Sequence, residues 1–155
     1  MKKRVLFVCM GNICRSPAAE GVFAHMLEEQ GLSNTVEVDS AGTIGYHSGN
    51  PADSRMRAAA AKRGYDLTSR ARQVNAGDFD TFDWVLAMDD ANYRDLQQLK
   101  PAGETRAKLK RFCDYCKDTA REVPDPYYGG VSGFERVLDL LEDGCTQLLV
   151  EVRKA

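Results

Sequence analysis

Two cysteines, an asparagine, an arginine and a serine fall within eight residues near the start of the chain: Cys9-Met10-Gly11-Asn12-Ile13-Cys14-Arg15-Ser16. A cysteine in such a stretch can be a metal ligand, half of a disulfide or a nucleophile. The chain has five cysteines, Cys9, Cys14, Cys113, Cys116 and Cys145, and an odd number argues against a secreted disulfide framework. Its histidines, His25 and His47, are far apart, and neither stands at metal-ligand spacing from a cysteine pair. What surrounds Cys9 favours a nucleophile. RVLFVC, residues 4–9, is an almost continuous apolar run, as in a strand buried on both faces. Ser16-Pro17 reads as a helix start, with Ser16 at the N-cap and Pro17 at the first helical position. The loop between them then lies at a helix N-terminus, where free N–H groups and the helix dipole favour an anion. Gly11 and Asn12 tolerate left-handed backbone and let successive N–H groups turn inward. Arg15 adds a planar fork that can hold two oxygens at once. The expected ligand is a tetrahedral oxyanion. Cys9, at the lip of the same cradle, has its thiolate stabilised there and is placed to attack phosphorus.

Breaking a phosphate ester through cysteine also needs an acid for the leaving oxygen. Val123-Pro124-Asp125-Pro126-Tyr127-Tyr128-Gly129-Gly130 offers Asp125, held extended by the proline after it. Asp125 would protonate the leaving group and then take a proton from the water that hydrolyses the phosphocysteine. Tyr127 and Tyr128 are candidates to wall the pocket against an aromatic group.

These residues need a scaffold. After the first helix, closed by Gly31, residues 35–40 alternate as a second strand and residues 41–52 read as a Gly- and Pro-containing loop. Asp53 or Ser54 caps a helix to about residue 63. WVLAM is a third strand, Asp89 caps a helix to about residue 99, and residues 107–112 form a short charged fourth strand. Residues 113–130 read as a loop. Ser132-Gly133-Phe134-Glu135 reads as a capping box for a last helix, whose apolar stripe is Phe134, Leu138, Leu141, Cys145, Leu148 and Val152. Strands alternating with helices predict an α/β fold: a single three-layer domain over residues 1–155, with a parallel sheet. Cys9, Ser40 and Asp89 all fall at strand C-termini, where such sheets bind ligands. With 155 residues, 43% hydrophobic content and a net charge of -2, the composition fits one soluble domain and gives no support for nucleic-acid binding. No apolar run reaches the roughly 20 residues of a spanning helix, and the N-terminal one is too short for a signal peptide. A cytoplasmic protein is expected, a monomer or weak dimer.

VCMGNICRSPAAEGVF, DSAG, ARQV, FDTFDWVLAMD and VPDPYYGG together resemble the low-molecular-weight protein tyrosine phosphatases over essentially the whole chain. The resemblance implies a four-stranded parallel sheet with helices on both faces and phosphotyrosine hydrolysis without metal or cofactor. A phosphotyrosine protein or small aryl phosphate would be the substrate and inorganic phosphate the product. It carries the nucleophile to Cys9, the phosphate-binding arginine to Arg15 and the general acid to Asp125. The loop residues Met10, Gly11, Asn12, Ile13, Cys14 and Ser16 become the substrate cradle. Asn12 resembles the family's left-handed asparagine, Ser16 the serine that bonds the thiolate, Ser40 the serine that steadies the asparagine, and Tyr46 an aromatic pocket residue. A histidine that often precedes ARQ in the family is absent from Ser69-Arg70-Ala71-Arg72.

Arsenate reductases of this fold share the loop but need redox cysteines near the third strand, and residues 73–100 contain none. Protein-arginine phosphatases of the family carry threonine where this chain has Ile13, whose apolar side chain favours a phenyl ring. A phosphate-binding module without turnover would not need Cys9 and Asp125 together. Cys14 is either a small packing residue or a trap for oxidised Cys9 as a disulfide, which the resemblance supports. Cys113 and Cys116 read as unpaired loop thiols, with a redox pair as the alternative. Cys145 reads as core, and His25 and His47 as surface or packing residues. Arg70, Arg72, Arg106, Lys108, Lys110 and Arg111 read as solvated charges.

Overall fold

The computed structural model describes residues 2–127 and 129–155, so the expectation placed on Tyr128 lies outside the described residues. Strand β1 (Lys3–Cys9) leads to helix α1 (Arg15–Glu29), strand β2 (Val36–Gly42) and helix α2 (Ser54–Lys62). The short helix α3 (Asp78–Thr81), strand β3 (Trp84–Ala87), helix α4 (Asp90–Leu99) and strand β4 (Lys108–Arg111) follow. A 3-10 turn (Phe112–Tyr115) precedes the long helix α5 (Val131–Lys154). The four strands form one sheet in the order β2-β1-β3-β4, with every pairing parallel.

The apolar run of β1 is continuous because both its faces are covered. Val5 and Phe7 belong to the core beneath α1 and α5, whereas Leu6 and Val8 pack on the other face with Phe79, Val85 and Leu96. Phe7 meets Phe23 and Phe112 edge-on, with ring centroids 5.8 and 6.0 Å apart. All six residues of the predicted α5 stripe are buried. The chain runs from β1 outward to β2 and then back across to β3. A crevice therefore opens at the strand C-termini where the order reverses, directly beyond Cys9.

Two local expectations fail, and one short helix is unexpected. Helix α1 begins at Arg15 after Cys14, which makes no side-chain cap, so Ser16 and Pro17 lie inside the first turn. The Ser16 hydroxyl is drawn into the site instead. Helix α5 begins at Val131 after Gly130, again without a side-chain cap, so the Ser132–Glu135 capping box does not form. The segment before β3 also holds the unforeseen α3, where the buried Asp78 carboxylate accepts from the Asn75 amide at 2.9 Å. Asp53 does cap α2, accepting from the Arg55 and Met56 amides, and Asp89 caps α4, accepting from the Asn92 amide at 2.7 Å.

Candidate active site

The β1–α1 loop folds around the Cys9 sulfur. Asn12 takes φ +58°, the one non-glycine left-handed backbone among the described residues. That conformation costs about 1–2 kcal/mol. It turns the Asn12 amide onto the sulfur, N to Sγ 3.3 Å. Both ends of the Asn12 side chain hold it there: Nδ2 donates to Ser16 Oγ at 2.7 Å, and Oδ1 accepts from the Arg72 amide at 3.0 Å. Across the loop, Gly42 must be glycine. A Cβ there would lie 2.6 Å from the Met10 carbonyl oxygen, and the close approach lets Thr43 and Ile44 amides bond the Cys9 and Met10 carbonyls.

Ser16 Oγ lies 3.0 Å from Cys9 Sγ and 3.3 Å from the Ala41 carbonyl oxygen. The hydroxyl has one proton and two acceptors. The sulfur is the nearer of the two. Both residues are buried.

Arg15 crosses beneath the loop with its side chain almost entirely buried. Its Nη1 donates to Asp89 Oδ2 at 2.6 Å and to the Val123 carbonyl at 3.1 Å. Burial weakens its charge, but the Cys9 sulfur, Asp89 and Asp125 outweigh that and hold it above its ordinary value. Asp89 therefore does two jobs: Oδ1 caps α4 and Oδ2 fixes the guanidinium. Asp89→Ala is expected to let the guanidinium drift and to lower kcat/KM about 10²-fold, the usual consequence of a 1 Å misplacement. Asp89→Asn, which keeps the cap acceptor, separates this from loss of helix stability. If both variants keep wild-type kcat/KM and phosphate inhibition, Asp89 has no positioning role.

Asp125 Oδ2 stands 3.7 Å from Arg15 Nη2, and its Oδ1 accepts from the Tyr127 amide at 3.0 Å in an Asx turn. The Asp125 loop is tied down by Arg55, whose Nη2 donates to the Tyr127 carbonyl at 2.9 Å and whose guanidinium lies over the Tyr127 and Phe134 rings. A small cleft of about 70 Å³ is lined by Cys9, Met10, Gly11, Ile13, Cys14, Arg15, His47, Asp125 and Tyr127. Larger, shallower depressions along β2 and between β4 and α5 contain none of these residues.

Expectations at six residues are corrected. Tyr46 is 83% exposed and does not line the cleft. His47 does, standing edge-on to Tyr46 at 4.8 Å and tilted against Tyr127 at 6.4 Å. Ser40 donates to Glu20 Oε1 at 2.6 Å rather than to Asn12. Arg72 is no solvated charge: it pairs with Asp39 and Asp78, which fixes the backbone N–H that holds Asn12. Arg111 likewise pairs with Asp90 and stacks on Tyr93, and Arg106 pairs with Asp83. Where the family histidine is absent, Ser69 hydrogen-bonds Glu20. Neither Glu20 nor Arg72 announces itself in sequence, because each acts through a partner far along the chain.

Burial lifts the Glu20 carboxyl above the ordinary carboxylate range, against the hydrogen bonds from Ser40 and Ser69. The folded chain thus keeps a proton that the unfolded chain releases near its usual value of about 4.3. The stability this contributes is present below that value and is lost as pH rises through the raised one. Glu20→Gln is expected to flatten this fall in urea midpoint with rising pH. An unchanged slope would refute the assignment.

A buried thiol, an inward-turned amide, a fixed guanidinium and a carboxyl at the mouth converge on one cleft of a parallel α/β sheet. The family described as low molecular weight phosphotyrosine protein phosphatase matches residues 4–155. The low molecular weight protein-tyrosine-phosphatase of Streptomyces coelicolor is 46% identical over 157 residues, covering 99% of this chain and 96% of the relative. The human low molecular weight phosphotyrosine protein phosphatase is 44% identical over 136 residues, covering 87% and 86%. A crystal structure of the protein tyrosine phosphatase from Entamoeba histolytica, with Hepes in its active site, aligns with a TM-score of 0.95 at 45% identity, covering 99% of this chain and 98% of that one. The chain belongs to the low molecular weight phosphotyrosine protein phosphatase family, and it is a phosphatase.

Proposed function

We propose that this phosphatase hydrolyses phosphotyrosine monoesters through a phosphocysteine on Cys9. The observation that carries the reading is the convergence of Cys9, Arg15 and Asp125 on one cleft, with Asp125 Oδ2 3.7 Å from the guanidinium. The Cys9 sulfur attacks phosphorus as the P–O bond to the aryl group breaks. Arg15 and the loop amides take the charge of the transferring phosphoryl group. Asp125 gives its proton to the leaving oxygen. The carboxylate left behind then removes a proton from water, whose oxygen attacks phosphorus. The S–P bond breaks, and inorganic phosphate and the thiolate are released.

Ile13, Tyr127 and His47 give the cleft walls that suit a flat ring. Cys14 is 4% exposed, and burial followed by the nearby Asp53 charge pushes its thiol up to about 12, so it stays protonated and does not compete with Cys9 as nucleophile. Its proposed role as the trap for oxidised Cys9 predicts that Cys14→Ser recovers less activity than wild type after peroxide and thiol treatment; equal recovery would sink it. We place the activity in the cytoplasm, where reduced thiols are maintained, in keeping with five free cysteines. No helix among the described residues is long and apolar enough to cross a membrane.

The deciding experiment compares phosphotyrosine, phosphoserine and phosphoarginine peptides in EDTA, with Cys9→Ser as the blank. Preferred turnover of phosphotyrosine is expected. Preference for phosphoarginine, or no turnover of any, would replace this reading.

A further inference from the structure

Of the three thiols that take no part in the chemistry above, two are near neighbours in the chain. Cys113 and Cys116 stand on the 3-10 turn that leaves β4 and docks on α5. The Cys116 amide donates to the Cys113 carbonyl at 3.1 Å, which closes the turn. Such a turn brings its end Cα atoms within about 7 Å, and disulfides span Cα separations of roughly 4.4–6.8 Å. The sulfur of Cys116 sits against α5, 3.6 Å from the Leu140 carbonyl oxygen. Helix α5 makes room for it with Gly144, where a Cβ would stand 3.1 Å from that sulfur and 2.4 Å from the Phe112 ring.

The thiols also act on one another. The neighbouring Cys116 holds the Cys113 thiol below its ordinary value despite burial, and Cys113 together with burial keeps Cys116 protonated, its S–H donating to the Leu140 carbonyl. Of the two, Cys113 is the readier to ionise. The residues after the turn are pinned independently. Lys117 and Asp118 amides each donate to the Asp143 carboxylate at 3.0 Å, and Arg136 holds the Asp118 carboxylate at 3.1 Å.

We propose that Cys113 and Cys116 are a hydroperoxide-oxidisable dithiol that closes to a disulfide within its own turn, a modification site separate from the phosphate-binding loop. The Cys113 thiolate attacks the terminal oxygen of hydrogen peroxide. An S–O bond forms, the O–O bond breaks, and the departing hydroxide takes a proton to become water. Cys116 sulfur then attacks the sulfenic sulfur of Cys113. The S–S bond forms, the S–O bond breaks, and the hydroxide leaves as water with the Cys116 proton. The two thiols lose two electrons and two protons, and the peroxide is reduced to two waters. A dithiol reductant reverses the change. Because Lys117 and Asp118 are anchored to α5, the Asp125 loop stays in place and phosphatase turnover is insensitive to the state of this pair.

The test uses the full chain carrying Cys9→Ser and Cys14→Ser, which removes the loop thiols. After hydrogen peroxide, the tryptic peptide of residues 112–117, which carries both cysteines, is expected to lose the mass of two hydrogens and to regain it with dithiothreitol. Adding Cys116→Ser should instead leave Cys113 carrying one or more oxygens. With Cys9 and Cys14 intact, the Cys113→Ser, Cys116→Ser protein should keep wild-type phosphatase turnover. An unoxidised peptide, oxygen added to Cys113 while Cys116 is present, or a bridge to Cys145 would overturn the proposal. If the serine variants at 113 and 116 do not fold, the peptide mass in the Cys9→Ser, Cys14→Ser protein decides alone.

Discussion

Cys9→Ser is expected to lower phosphotyrosine turnover on the order of 10⁶-fold, the scale on which enzymes lose activity with their covalent nucleophile. The contacts around position 9 are built for an anion that a serine does not supply at neutral pH. The Asn12 amide and the Ser16 hydroxyl stabilise negative charge on sulfur but neither removes a proton. Arg15, held by Asp89 and the Val123 carbonyl rather than by Cys9, keeps its place in the variant. Phosphate and phosphopeptide binding should therefore survive. Stopped assays give the rate and calorimetry gives the affinity. Turnover above about one per cent of wild type would show that the sulfur is not the attacking atom, and lost affinity with an intact fold would show that it holds the loop open.

The sequence displayed the parts of this site that depend on neighbours along the chain. RVLFVC reads as a doubly buried strand because six residues suffice to show the run, and both faces of β1 are indeed covered. Asp53 and Asp89 read as caps because capping is local, and both cap. Elements failed where a distant partner displaced a local one. Ser16 is a good N-cap residue, but the Cys9 sulfur, Asn12 and Ala41 claim its hydroxyl, and the helix starts two residues earlier than expected, at Arg15 rather than Pro17. Ser40 had an expected partner in Asn12, yet Glu20, twenty residues back on α1, accepts its hydrogen bond. Tyr46 and His47 are adjacent, and a loop with no period gives no sign of which one faces the cleft. The backbone decides for His47, packing it against Gly11, where a Cβ would lie 3.1 Å from the ring.

These failures share a cause that bears on mechanism. The loop around Cys9 is held by its own Asn12 and Ser16 and, from outside, by the Arg72 amide on Asn12 and by Asp89 on Arg15. A left-handed Asn12 is costly, and only a frame that over-determines it keeps the amide aimed at the sulfur. Substitutions in that frame should lower kcat before they lower the affinity for phosphate, because aim matters most when charge moves.

Asp125→Asn is expected to slow phosphotyrosine turnover by roughly 10²–10⁴-fold, the range for loss of a general acid. The size should depend on the leaving group. Tyrosine departs as a phenol of pKa near 10 and needs the proton as the P–O bond breaks. Nitrophenolate carries its charge without help, so the first step on p-nitrophenyl phosphate should be slowed much less. The second step still requires a base for water, and the carboxamide that replaces the carboxylate supplies none. The variant should then accumulate phosphocysteine and give a burst of nitrophenol equal to the enzyme present, followed by slow turnover. Inhibition by inorganic phosphate should change little, since Arg15 is anchored through Asp89 at 2.6 Å and meets Asp125 only at 3.7 Å. Equal slowing on both substrates with no burst would assign Asp125 to binding and leave the acid to be found elsewhere in the cleft.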